Sequence, residues 1–161
     1  MLLAWVLVGL NLLFSLVGVG RSNWPEAVLL VLLVTSTLFS LAQQLPAQNV
    51  LLGALIIAVI GSAMNIAGAT ISLPFGPYTY TNDFGWRFFD TLPWAVPLIW
   101  IVFVLNARGV TRLILRPWRK TRTYGWWVIG FTTALCVLLD AAWEPFATRV
   151  KQFWLWHPTK L

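Results

Sequence analysis

The residues that can do chemistry in this sequence are few, and they cluster. Asp140 and Glu144 stand four positions apart in "LCVLLDAAWEPF", a spacing that stacks two side chains on one face of a helix. Two carboxyls held that close in a low-dielectric setting do not both ionise easily. At least one is therefore expected to keep its proton near neutral pH and to serve as a general acid. An ionisable side chain within an apolar run is costly and by default functional. For Glu144, beside Pro145, the competing reading is that it marks the wet end of its helix.

A second polar group lies in "GATISLPFGPYTYTNDFGWRFFDTLPW", residues 68–94. Tyr78 and Tyr80 alternate with Thr79 and Thr81, and the two-residue period of an extended segment puts both rings on one side. Such a segment can dip into a helix bundle, where irregular backbone is tolerated only if it is buried or lines a cavity. The plainer alternative is an interfacial loop whose tyrosines anchor at headgroup depth, with Asp83 and Asp90 as solvated loop acids. Upstream, Asn65 sits near Gly61, Ser62 and Gly68. Small residues at that spacing point first to close helix packing and second to a substrate contact. The candidate catalytic residues are Asp140, Glu144 and Asp83; the candidate substrate-binding residues are Asn65, Phe75, Tyr78, Tyr80 and Trp143. Cys136 and His157 are each the sole residue of their type. No disulfide framework, metal site or Cys/His nucleophile is supported, and no cofactor is expected.

The elements that must position these residues are transmembrane. Of 161 residues, 59% are hydrophobic and 10% charged, against about 25% charged in soluble domains. Several apolar runs approach the length that crosses a bilayer as a helix. The fold expected is all-α, a polytopic transmembrane bundle forming a single domain over 1–161. It has about five spans, near 2–19, 26–45, 49–68, 93–110 and 124–143, and one structured polar loop. The first run could be mistaken for a signal peptide, but no lysine or arginine precedes it, so a retained span is expected. Trp94, Trp118, Trp126, Trp127 and Trp143 fall near span ends, as in an aromatic belt.

The net charge is +6, and most of the basic excess lies in "NARGVTRLILRPWRKTR". Beside a hydrophobic run, Arg108, Arg112, Arg116, Arg119, Lys120 and Arg122 read as a topology signal or a contact to anionic headgroups, not as a nucleic-acid surface. The positive-inside rule puts the 108–122 connection in the cytoplasm, although Arg149, Lys151 and Lys160 would then lie outside. Counting spans gathers Glu26, Asp83, Asp90, Asp140 and Glu144 toward the opposite membrane face. An apolar bundle with acids, tyrosines and an amide at one end suits a long lipophilic substrate whose reactive end meets acid and water.

"PFGPYTYT" at 74–81 followed by "NDFG", with "LLDAAWEP" at 138–145 and "WLW" at 154–156, resembles the membrane-bound carotenoid biosynthesis hydratases. That family includes the gamma-carotene 1',2'-hydratases and bisanhydrobacterioruberin hydratases, and the similarity covers roughly residues 60–157. Members usually read Asp-Pro where this chain reads Glu144-Pro145. They also continue past the tryptophan-rich segment into another span, so the chain, ending at Leu161, is expected to be a C-terminally truncated member.

The resemblance implies an integral membrane enzyme, in a bacterial inner membrane, that adds water to a terminal C=C bond of a carotenoid. Asp140 or Glu144 would supply the proton, and Tyr78, Tyr80 and Trp143 would face the resulting cation. The implied partners are a polyene and membrane lipids, with a homo-oligomer or membrane complex left open. Two other readings compete: a non-catalytic subunit that binds carotenoid or scaffolds a complex, and a small proton-coupled transporter. The transporter reading lacks an internal repeat.

Overall fold

The structure, a computed structural model, describes residues 24–72, 78–81 and 86–156. The expected first span, 2–19, lies outside them. Among the described residues four helices form the bundle: α1 (Trp24–Ala42), α2 (Ala47–Ile71), α3 (Ala95–Ile114) and α4 (Tyr124–Pro145). Each grows from a run of Leu, Ile, Val and Ala broken by a turn. In hydrocarbon only a helix can satisfy every backbone polar group within its own segment. The 25 residues of α2 reach about 37 Å at about 1.5 Å per residue, beyond the about 30 Å of a bilayer's hydrocarbon core.

Among the described residues three helices are long and apolar enough to cross a membrane, at Ala47–Ile71, Ala95–Ile114 and Tyr124–Val150. The apolar part of α1, Ala27–Ala42, is shorter. The described residues thus carry three such spans, where about five were expected for the whole chain.

The boundaries differ from expectation for identifiable reasons. The run expected to begin at 93 starts its helix at Ala95, because Leu92–Pro93 is a strand, β3, paired antiparallel with β2 (Arg87–Phe88). The turn between them places Phe89 and Asp90 at φ of 51° and 55°, and the Thr91 N–H closes it on the Phe88 carbonyl at 3.1 Å. At its other end α3 runs on to Ile114, then tightens into a 3₁₀ turn at Arg116–Trp118 containing Pro117. The last helix passes Trp143 and reaches Pro145, which has no N–H to continue the ladder. A π-helical turn, Phe146–Val150, follows.

α3 is the central helix, packing on α1, α2 and α4; α2 and α4 flank it without an extensive contact of their own. Val34, Ala54 and Ile101 join α1, α2 and α3 in one apolar cluster. The Asn106 amide donates to Thr37 Oγ1 at 3.1 Å, a polar tie between α3 and α1 of the kind that holds helices together in lipid. α4 contains no buried residue, and α2 exposes Leu51, Leu52, Leu55, Ile56, Val59 and Ile60. Apolar surface this continuous belongs against acyl chains.

The polar connection after α2 is ordered as a strand. Ser72 takes the left-handed conformation at φ 61° and returns its N–H to the Gly68 carbonyl, ending α2. The chain comes back as β1 (Tyr78–Tyr80), which pairs antiparallel with β4 (Trp154–Trp156), Tyr78 opposite Trp156 and Tyr80 opposite Trp154. The expected all-α bundle therefore carries two short strand pairs. A second core cluster, around Tyr78, Tyr80, Leu92, Val96, Ala147 and Phe153, ties them to the helix ends.

Candidate functional site

The pleat decides which side of β1 enters the bundle. Tyr78 and Tyr80 are buried while Thr79 between them is exposed, the alternation expected of a strand with one face on a core. The two tyrosines point to one side, as expected, and are buried; Asp90 is exposed in its turn, as expected of a solvated loop acid.

Backbone bonds hold the strand in place. The Thr81 N–H reaches the Phe153 carbonyl at 2.9 Å, and the Phe153 N–H reaches the Ala147 carbonyl at 2.8 Å. The Arg87 guanidinium donates to the Tyr80 carbonyl at 3.0 Å. β1 is thereby tied to the π turn after α4 and to the hairpin before α3.

The two phenols end on one residue of α2. Tyr78 donates to the backbone carbonyl of Asn65 and Tyr80 to its Oδ1, each at 2.9 Å. The Asn65 amide in turn donates to the Gly61 carbonyl at 2.8 Å. The rings stand edge to face, with centroids 5.4 Å apart. Burial pushes both phenols above the ordinary tyrosine range, Tyr80 the further, with Tyr78 beside it adding to the effect. Both stay neutral across the physiological range.

Gly68 and Gly61 permit these contacts. A Cβ on Gly68 would lie 2.9 Å from the Tyr78 ring and hydroxyl, and one on Gly61 would lie 2.8 Å from the Trp100 indole. The packing role expected of the glycines is the one observed. Asn65 combines close packing with a direct hold on both tyrosines.

These elements line a partly open cavity of about 160 Å³. α2 contributes Asn65, β1 contributes Tyr78 and Tyr80, and α4 contributes Asp140, Trp143 and Glu144. Val96, Ile99, Trp100 and Phe103 form the wall from α3, and Trp154 and Trp156 cover it from β4. The helical spacing of the two carboxyls brings both to the same cavity, with Asp140 exposed and Glu144 half-buried. Trp143 packs against Phe146 at 5.1 Å between ring centroids. The Thr148 hydroxyl bonds the Glu144 carbonyl at 2.8 Å, serving a backbone acceptor near the interruption at Pro145.

Of the candidate residues, Asp140, Glu144, Asn65, Tyr78, Tyr80 and Trp143 meet at one cavity. Asp83 and Phe75 lie outside the described residues. The α3 wall was missed, although positions 96, 99, 100 and 103 recur at the spacing of one helix face. Trp154 and Trp156 alternate with the period of a strand, but nothing local to them names β1 as their partner. Chemically the site is an aromatic and apolar chamber with two carboxyls at one wall. It is suited to an apolar ligand and to proton transfer.

No curated protein and no solved structure matches the chain. Residues 25–160 match the family described as carotenoid biosynthesis protein. With the match spanning most of the chain, and acids, aromatic rings and apolar helices arranged as above, the chain belongs to the carotenoid biosynthesis protein family.

Proposed function

We propose that this protein is an integral membrane hydratase that adds water to a terminal C=C bond of a carotenoid. Membership of the family assigns a role in carotenoid biosynthesis. The observation that carries the finer reading is the pair Asp140 and Glu144, one helical turn apart on the wall of an aromatic cavity.

Hydration of an alkene by acid requires a proton donor, a chamber that tolerates a carbocation, and a base to receive a proton from water. One carboxyl in its acid form protonates the CH carbon of a trisubstituted terminal alkene, and the π electrons form the new C–H bond. The cation left on the tertiary carbon faces the neighbouring rings, an attraction of about 0.5–2 kcal/mol per well-placed ring. A water oxygen bonds to the tertiary carbon and loses one proton to the other carboxylate. Passing that proton back between the two carboxyls restores the starting state, and the net change is the addition of one H₂O.

Within this proposal the bundle crosses the membrane five times, counting 2–19 and α1. The 108–122 connection lies in the cytoplasm of a bacterial cell and the cavity lies near the opposite face.

One observation favours a second reading. Four tryptophans line the cavity, Trp100, Trp143, Trp154 and Trp156, a lining that would hold a polyene without turning it over. Expression in a host that accumulates lycopene or gamma-carotene separates the two readings, with pigments analysed by liquid chromatography and mass spectrometry. A product heavier by one water, absent with Asp140→Asn, supports the hydratase. Unchanged pigment that co-purifies with the protein favours the binding subunit.

A further inference from the structure

Tyr78 and Tyr80 lie on the cavity wall, and a phenol there can do two different things. Its hydroxyl can give or take a proton, or its ring can face a positive charge. The hydrogen bonds decide between them. A phenol has a single proton to donate, and both donate to Asn65, one to its carbonyl and one to Oδ1, each at 2.9 Å. The amide is itself oriented by its bond to the Gly61 carbonyl at 2.8 Å, so its oxygen is turned to Tyr80. Tyr78 is further confined by Gly68, against which its ring and hydroxyl rest. Two rings from a strand of three residues are thereby fixed by a single residue on a separate helix, Tyr78 by its backbone carbonyl and Tyr80 by its side chain.

We propose that Asn65 is a positioning residue that holds Tyr78 and Tyr80 as a pair of ring faces and withholds their hydroxyls from the reaction, leaving proton transfer to Asp140 and Glu144. This inference rests on the hydration reading. A free hydroxyl beside a tertiary cation would compete with water as a nucleophile and form an aryl ether. A hydroxyl engaged with Asn65 is turned away from that role while its ring remains in place.

The test has one arm independent of turnover. The chain has three tyrosines, so a Tyr124→Phe background leaves only the pair to report on phenol ionisation by ultraviolet absorbance. Asn65→Ala removes the Oδ1 acceptor and is expected to bring the alkaline onset of Tyr80 phenol ionisation down by about one pH unit, a tenfold change in proton affinity. In the pigment assay Tyr80→Phe is expected to reduce turnover about tenfold, with polyene affinity and both limbs of the pH–rate profile unchanged. The Asn65→Ala/Tyr80→Phe double variant should be no slower than the worse single, because both remove the same bond.

An onset of phenol ionisation unmoved by Asn65→Ala would overturn the proposal. So would a double variant whose loss is the product of the two singles, or a Tyr80→Phe profile missing one limb. Tyr80→Phe breaks the bond without altering α2, so it decides the question if Asn65→Ala does not fold. A wild-type chain that makes no hydrated pigment defeats the hydration reading, while the phenol titration still judges the role of Asn65.

Discussion

Tyr78 stands directly opposite Trp156 in an antiparallel strand pair, their ring centroids 5.5 Å apart and steeply inclined. The contact joins the connection after α2 to the segment after α4, and both residues line the cavity. Tyr80 and Trp154 repeat it at 6.3 Å.

Removing this cover should weaken the hold on a polyene. Edge-to-face aromatic pairs contribute about 0.5–1.5 kcal/mol beyond their buried area. Trp156→Ala is therefore expected to raise the dissociation constant for a polyene by roughly 2- to 12-fold, with Trp154→Ala similar. Quenching of tryptophan fluorescence on titration with lycopene measures this. An affinity unchanged in both variants would show that the strand pair does not cover the ligand.

The two carboxyls should be separable by kinetics. Asp140→Asn and Glu144→Gln keep shape and remove acidity, and loss of a general acid or base typically lowers the rate about 10²–10⁴-fold. The variant that removes the proton donor should lose the alkaline limb of the pH–rate profile, and the variant that removes the base should lose the acid limb. Measured profiles retaining both limbs in both variants would dismiss the pair as the proton-transfer groups.

Glycines on one helix should respond in opposite directions. Gly68→Ala drives a methyl into the Tyr78 ring and Gly61→Ala drives one into Trp100, and overpacking of this kind costs about 1–3 kcal/mol. A Cβ on Gly53 meets nothing within 4 Å, so Gly53→Ala should gain about 0.5–1 kcal/mol from helix propensity. Thermal unfolding of the three variants in detergent checks the contrast, and equal shifts would contradict it.

Alkali should loosen the site through its tyrosines. Folding holds both phenols above their ordinary value, mainly by burial, so above about pH 10 the unfolded chain sheds phenol protons that the folded chain keeps. The stability they contribute is fully present below that value and is lost as pH rises toward the folded pKa. Wild type should therefore lose more thermal stability between pH 9 and 11 than Tyr78→Phe/Tyr80→Phe, a difference that unfolding curves across about that range around the phenol pKa would reveal. Parallel curves would place the phenols in contact with water.

Much of this protein was legible from local pattern. The helices follow from apolar runs, because a segment in lipid must satisfy its own backbone. Asp140 and Glu144 share a wall because four residues make slightly more than one helical turn. Tyr78 and Tyr80 share a face because strand side chains alternate. Each of these rests on forces acting within a few residues, and such forces are written in the order of the chain.

Tertiary structure alone decided the rest. Nothing near Asn65 marks it as the acceptor for two phenols more than ten residues away, and the pairing of Tyr78–Tyr80 with Trp154–Trp156 spans most of the distance from α2 to the end of the described chain. Strands of three residues carry too little propensity to choose a partner. Their pairing is selected by the helices that carry them to one end of the bundle, by a glycine that lets a ring approach, and by the edge-to-face contacts of Tyr78 with Trp156 and Tyr80 with Trp154. Those terms exist only once α2, α3 and α4 have packed. Local pattern specifies a membrane bundle with an acid pair, and packing specifies which rings and which amide surround it.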